Sequence, residues 1–253
     1  ATAIDKKSSY TGGHCERVPE IAMLLADAVE QTTEGRYKDF SMTEDERYEL
    51  YIAAWLHDCG KVATPPHIVD KKTKLETITD RIQTVDTRFE VLKRDIEISM
   101  LKKQIQLMKN GSADYAIDKI KLEYKKVLNQ LNEDSGFIHK TNRGGEFMAE
   151  DEIKRVADIG NYKWVSNGEE IPFLNEEEVR NLQIPKGTLL PEEREIINDH
   201  IVITIEMLEK LPYPKKLKNV PEFAGAHHEK LDGTGYPKGL KDEDMSTQAK
   251  IMA

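Results

Sequence analysis

Five of the chain's seven histidines fall where chemistry could be done. His57-Asp58 closes an amphipathic stretch and runs into Cys59-Gly60-Lys61. Adjacent helical residues point about 100° apart, so this imidazole and carboxylate can both reach a metal pair from one stretch of backbone. An imidazole binds one ion, whereas the two oxygens of a carboxylate can bridge two. A single His-Asp pair is a weak signal. His227-His228-Glu229 carries more weight, because paired imidazoles beside a short helix are awkward to bury without partners or a metal. They lead into Leu231-Asp232-Gly233-Thr234-Gly235-Tyr236-Pro237, where Gly233 and Gly235 permit positive φ and close approach to a ligand. Tyr236 adds a flat ring with a hydroxyl, and Pro237 stiffens the exit. On these residues a surface turn with two solvated histidines stays open as the alternative.

The elements that must position these groups read as helices. Ile21, Leu24, Leu25 and Ala28 are at helical spacing within residues 14–30. Thr43 and Glu46 form a capping box ahead of residues 44–57, where Tyr48, Ile52 and Trp55 line one face. Pro191 suits the first turn of a helix whose Ile197, His200, Thr204, Met207, Leu208 and Leu211 share a face. A short helix is expected from Pro221 to about Glu229. Strand patterns are few, so the class is all-α. In the middle, Leu75, Ile78, Ile82, Val85, Phe89, Leu92 and Ile96 repeat at 3-4 spacing. After a turn at Asn110-Gly111-Ser112, Ile117, Ile120, Tyr124, Val127 and Leu131 do the same. Two helices of unlike length, the first about 50 Å long, would make an antiparallel coiled-coil hairpin. Residues 133–187 read as a looser stretch with turns and small apolar anchors.

Composition limits the function classes. With 253 residues, 38% hydrophobic and 33% charged, the chain can bury a core and is neither fibrous nor disordered. No apolar run approaches the roughly 18 residues of a membrane span, and Asp5, Lys6 and Lys7 break up any secretory signal. A net charge of −9 argues against a nucleic-acid polymer as partner, though not against a phosphate substrate in a metal-lined cleft. Two cysteines, Cys15 and Cys59, make no disulfide framework, which points to a reducing, cytoplasmic setting. A start at Ala1 rather than Met suggests a fragment of something longer.

His57-Asp58-Cys59-Gly60-Lys61 together with His227-His228-Glu229-Lys230-Leu231-Asp232-Gly233-Thr234-Gly235-Tyr236-Pro237 resembles the HD-GYP family, a branch of the HD metal-dependent phosphohydrolases that hydrolyses cyclic dinucleotides, chiefly cyclic di-GMP. Thr11 to Val18, with His14, resembles that family's first ligand segment. Gly187 to Glu193 through His200 resembles the helix with its middle histidine. The four segments keep the family's order over roughly 1–75 and 187–253. The resemblance implies an HD-domain helical bundle, with residues 76–186 inserted and the hairpin at about 76–132. It implies His14, His57, Asp58, His200, His227 and His228 as metal ligands, with Asp58 bridging. Lys61 would meet a phosphate oxygen, and Gly235, Tyr236 and Pro237 would shape the nucleotide site. Arg17, one turn from His14, is a further candidate for phosphate. Two divalent ions are implied, and ligands without thiolate suit Fe or Mn, with Zn or Ni as alternatives.

Two departures matter. Some family members carry a glutamate four residues before the first histidine, which helps hold a third ion; Tyr10 stands there, so two ions are expected. A further family aspartate would fall just beyond Ala249-Lys250-Ile251-Met252-Ala253, and the chain is expected to be truncated before it. The rival substrate is the mixed guanine–adenine cyclic dinucleotide. The rival function is a weak or inactive module that docks a GGDEF-domain or sensor-domain protein. The hairpin is expected either to pack on its own domain or to serve as the surface for such docking or for a homodimer. His67 is a candidate to line the cleft, His139 is read as structural or solvated, and Cys15 and Cys59 as small thiols turned from the metals.

Overall fold

Short helices held by caps and small side chains build one unit of this protein, and longer amphipathic helices build the other. The computed structural model describes residues 13–110, 114–145 and 147–253. Tyr10, the Thr11-Gly12 start of the first motif and the Gly111-Ser112 turn lie outside them. One unit reaches Asp70 and resumes at Pro191 through Ala253; the other is Lys71–Leu190. The boundaries thus fall at 70/71 and 190/191, not at 75/76 and 186/187. Lys74 explains part of the difference, since its ammonium donates to the carbonyls of Leu182 and Ile184 at 3.0 and 2.8 Å, inside the second unit.

In the first unit, α1 (His14–Glu30) follows Gly13, whose φ of 74° favours glycine. Its buried residues are Cys15, Pro19, Ala22 and Ala26. The expected apolar face is turned outward: Ile21 is 59% and Leu24 69% exposed. Periodicity located the helix, but the small-residue stripe is what permits close packing on α2 (Glu44–Leu56). Thr43 caps α2, its hydroxyl accepting the Glu46 N–H while the Glu46 carboxylate accepts the Thr43 N–H. Here too the inward face differs from expectation. Leu50, Ala53 and Ala54 are buried, and Tyr48 is exposed.

A tight 3₁₀ turn at Cys59–Val62 leads to the four-residue α3 (Pro66–Val69). Past the second unit, the helix expected from Pro191 is two: α8 (Pro191–Asn198) and α9 (His200–Glu209), with Asp199 between them. α9 buries His200, Ile201, Thr204 and Leu208, while Met207 and Leu211 are exposed. α10 (Val220–Gly225) ends before His227 rather than at Glu229. α11 (Thr247–Met252), capped by Ser246, closes on the core. That core is Leu50, Ala53, Ala54, Leu208, Phe223 and Met252 among others.

The second unit contains a helical hairpin of α4 (Ile82–Lys109) and α5 (Asp114–Asn142). Leu75 and Ile78 precede α4; Leu75 is buried in the unit's core, whereas Ile78 is 91% exposed. α4 has 28 residues, about 42 Å, and α5 has 29, so the arms are nearly equal. Residues 133–187 are more ordered than expected. After α5 come α6 (Glu150–Gly160), an antiparallel pair of β1 (Lys163–Ser166) and β2 (Glu169–Pro172), and α7 (Glu176–Leu182). The β-hairpin turns on Asn167 and Gly168, both at positive φ. Phe89, Ile138, Val156, Phe173 and Leu182 pack together, and Arg88 pairs with the buried Glu178 at 2.7 Å. Among the described residues no helix is long and apolar enough to cross a membrane.

Candidate metal centre

Four separate segments of the first unit bring six side chains to one place. His57 caps the C-terminus of α2, and Asp58 follows as the chain turns into the 3₁₀ segment. Gly60 makes that turn possible: a Cβ there would lie 2.0 Å from the His200 carbonyl oxygen and 2.7 Å from the Thr204 hydroxyl. The Gly60 N–H instead donates to that hydroxyl at 2.8 Å, seating the turn against α9. His14 is the first residue of α1, and His200 the first of α9.

Asp58 is 3% exposed, and its two oxygens face different sets of groups. Oδ2 lies 3.1 Å from His57 Nε2, 3.5 Å from His14 Nε2 and 2.8 Å from Lys61 Nζ. Oδ1 lies 3.2 Å from His200 Nε2 and 3.7 Å from His227 Nε2. The ligand atoms of His14, His57 and Asp58 fall within 4.8 Å of one another, as do those of His200, His227 and His228. The His200 and His227 Nε2 atoms are 3.5 Å apart, and the His227 and His228 rings are 4.3 Å apart, centre to centre.

The imidazole tautomers bear on what this arrangement can hold. Nδ1 of His57 donates to the Ala54 carbonyl at 2.7 Å, Nδ1 of His227 to Ala224 at 2.7 Å, and Nδ1 of His200 to Ile197. Each ring therefore turns its Nε2 toward the carboxylate and the other rings. Burial, then the charge on His57, pushes His227 down to about 3; burial, then His200, pushes His228 down to about 4. His14 is also lowered, first by burial. Burial works against ionisation of Asp58, yet the edges of His200 and His57 and the Lys61 ammonium outweigh it and hold the carboxyl well below its usual range. His14, His227 and His228, which resist protonation, thus join His57 and His200 around an ionised carboxylate. Each trio could hold a metal ion, and its oxygen and nitrogen donors without thiolate match the donor set of first-row divalent ions.

The loop after His228 is fixed from below. Glu229 is buried and accepts the Lys238 and Leu240 N–H groups, both at 2.8 Å. A Cβ on Gly235 would meet Glu229 Cα and Lys230 N at 2.4 Å, so only glycine lets the loop lie on that backbone. Tyr236 donates its N–H to the His228 carbonyl at 3.1 Å and stacks its ring on the imidazole at 4.7 Å and 14°. Pro237 is exposed beside it.

Other sequence candidates lie elsewhere. Arg17 is exposed on α1, one turn from His14, and its charge is among the influences lowering that imidazole. His67 is exposed on α3 and belongs to neither trio. His139 pairs with Asp86 at 2.7 Å in the second unit. Cys15 is buried in the helical core and Cys59 is half-buried, its thiol pushed up by burial. Three supporting features had no assigned role in the sequence: the Gly60–Thr204 contact, Glu229, and the buried Glu49, which meets Asn219 at the start of α10. The His227-His228-Glu229 run displayed Glu229, but nothing in residue type distinguishes a buried acid from a solvated one.

Two family models, each of the HD domain, match residues 11–135 and 176–253. Among curated proteins, a cyclic di-GMP phosphodiesterase of Thermotoga maritima is 40% identical over 67 residues, 26% of this chain and 18% of that protein. A 3'3'-cGAMP-specific phosphodiesterase of Vibrio cholerae is 39% identical over 66 residues, 26% of this chain and 14% of that protein. A probable cyclic di-GMP phosphodiesterase of the same organism is 40% identical over 78 residues, 29% and 18% of the two chains. This chain thus spans less than a fifth of each of these relatives. No solved structure matches it. With its helical architecture, the chain resembles the HD domain family over two stretches that together span most of its length.

Proposed function

We propose that this chain is a metal-dependent phosphodiesterase of the HD-GYP branch that hydrolyses a cyclic dinucleotide, cyclic di-GMP first, to a linear dinucleotide or mononucleotides. The observation that carries the reading is Asp58, one of whose oxygens faces His14 and His57 and the other His200 and His227. His14, His57 and Asp58 would hold one divalent ion; His200, His227 and His228 the other, with Asp58 reaching both. Iron or manganese suits the donors best, and zinc or nickel are alternatives. Such a pair, when bound, supplies Lewis acidity toward a phosphodiester and activates water at neutral pH.

The chain's own groups account for the rest. Water forms a new bond to phosphorus, the bond from phosphorus to the ribose oxygen breaks, and the departing oxygen gains a proton. Lys61, held at Asp58 and partly exposed, places a fixed positive charge where a non-bridging phosphate oxygen would sit. Tyr236, stacked on His228, offers a flat wall for a base or ribose, and Gly235 lets that wall approach closely. Arg17 is the further candidate for a distal phosphate.

His57→Ala and Asp58→Ala should each lower cleavage of cyclic di-GMP by at least about 10³-fold with the helical fold retained, and each should lose bound metal. The checks are product analysis by chromatography and metal content of the purified variants. Wild-type cleavage by either variant would sink the assignment. Two Vibrio cholerae relatives named 3'3'-cGAMP-specific phosphodiesterases support a second reading with the same chemistry, cleavage of 3'3'-cGAMP. Parallel assays with both cyclic dinucleotides decide between them.

Partners and setting are part of the same proposal. Along α4, Ile98, Leu101, Ile105 and Met108 stand exposed at 3-4-3 spacing. This supports the hairpin as a homodimer surface, with a sensor or GGDEF-domain protein as the rival occupant. A cytoplasmic location fits two free cysteines and a nucleotide second messenger.

A further inference from the structure

Glu49 lies on α2, eight residues before His57, and is 3% exposed. Its carboxylate accepts the backbone N–H of Asn219 at 2.6 Å and the side-chain amide of Asn219 at 3.1 Å. Compensation of this kind is what a buried carboxylate requires, but the partner is specific: Asn219 opens α10. A six-residue helix has little stability of its own, so its direction is set by whatever holds its ends. At the far end of α10, the Ala224 carbonyl takes the His227 Nδ1–H, and the His227 ring lies edge-on to His57 at 4.8 Å.

Between these ends α10 and α2 share one buried core, which includes Leu50, Ala53, Ala54, Val220, Phe223 and Ala224. Ala53 and Ala54 on α2 and Ala224 on α10 are wholly buried in the same core. Apolar burial is non-directional, whereas a charge-assisted hydrogen bond holds two particular atoms at one distance. A polar clamp at one end is therefore well placed to set the register. We propose that Glu49 is a positioning residue for the His200, His227 and His228 cluster: through Asn219 it fixes α10 along α2 and so holds His227 Nε2 over Asp58. This rests on the metal-binding reading above.

The test titrates Mn²⁺ into the purified chain by calorimetry, with bound metal counted by elemental analysis. Wild type is expected to bind two ions. Glu49→Ala should weaken one of them by about 10-fold or more and leave the other within about 2-fold. Asn219→Asp should do the same by placing two carboxylates together. Combining Glu49→Gln with Asn219→Asp should restore binding, because the new amide can accept the backbone N–H and donate to the new carboxylate. If Glu49→Ala fails to fold, the Asn219 variant and the combined variant carry the test. Variants that melt at lower temperature yet bind both ions as wild type does would overturn the positioning role. A wild type that binds no Mn²⁺ would overturn the metal reading itself.

Discussion

Gly60 illustrates how one residue type governs the centre. Its backbone rests on α9 where no Cβ fits, and its N–H is held by Thr204. The obstruction is backbone, the His200 carbonyl, so a side chain cannot be accommodated by a rotamer change. Gly60→Ala should therefore separate the 3₁₀ turn from α9, lowering stability by about 2–3 kcal/mol and loosening metal, because Asp58 and His200 would part. Urea unfolding and Mn²⁺ titration of the variant check both effects. Retained stability with unchanged metal affinity would show that the contact carries no such role. Sequence spacing drew attention to Gly60 as part of the run His57 to Lys61, but its partner Thr204 is 144 residues away.

At the scale of elements, the helices were legible and their faces often were not. The Thr43–Glu46 box marked the start of α2 correctly because a cap is a local hydrogen-bond pattern. The buried faces of α1 and α2 are Cys15, Pro19, Ala22 and Ala26 on one and Glu49, Leu50, Ala53 and Ala54 on the other, while Ile21, Leu24 and Tyr48 look outward. Periodicity weights bulk and so selected the wrong stripe. The hairpin was visible as heptads, yet the start of α4 was placed too early because Leu75 happens to continue the spacing from a loop. The outer stripe of α4 yields a prediction of its own. Leu101→Lys with Ile105→Lys should leave cleavage per chain within about 2-fold of wild type and halve the mass seen by light scattering, if the stripe joins two copies. An unchanged mass would remove the hairpin as the dimer surface.

For the molecule as a whole, charge regulation in the centre sets its response to acid. His227 and His228 have folded pKa values near 3 and 4, below the ordinary 6.5. Between about pH 4 and 6.5 the unfolded chain takes up protons on these imidazoles and the folded one does not, so stability rises with pH across that window. The contribution is full above about 6.5 and is lost as the pH falls toward the folded values. Urea midpoints of the metal-free protein should therefore decline from pH 7 to 4.5, and His227→Gln should flatten the decline. An equally steep decline in that variant would count against buried, neutral His227. What the sequence determined by itself was the local chemistry: His-Asp, His-His-Glu and the glycine loop are short runs whose residue types are visible without any fold. The tertiary structure decided which atoms share a space, that each oxygen of Asp58 meets its own set of imidazoles and that Glu49 reaches Asn219. Those pairings span up to 170 positions, between Glu49 and Asn219, and only packing, which depends on every intervening turn, can bring such distant groups within hydrogen-bonding range.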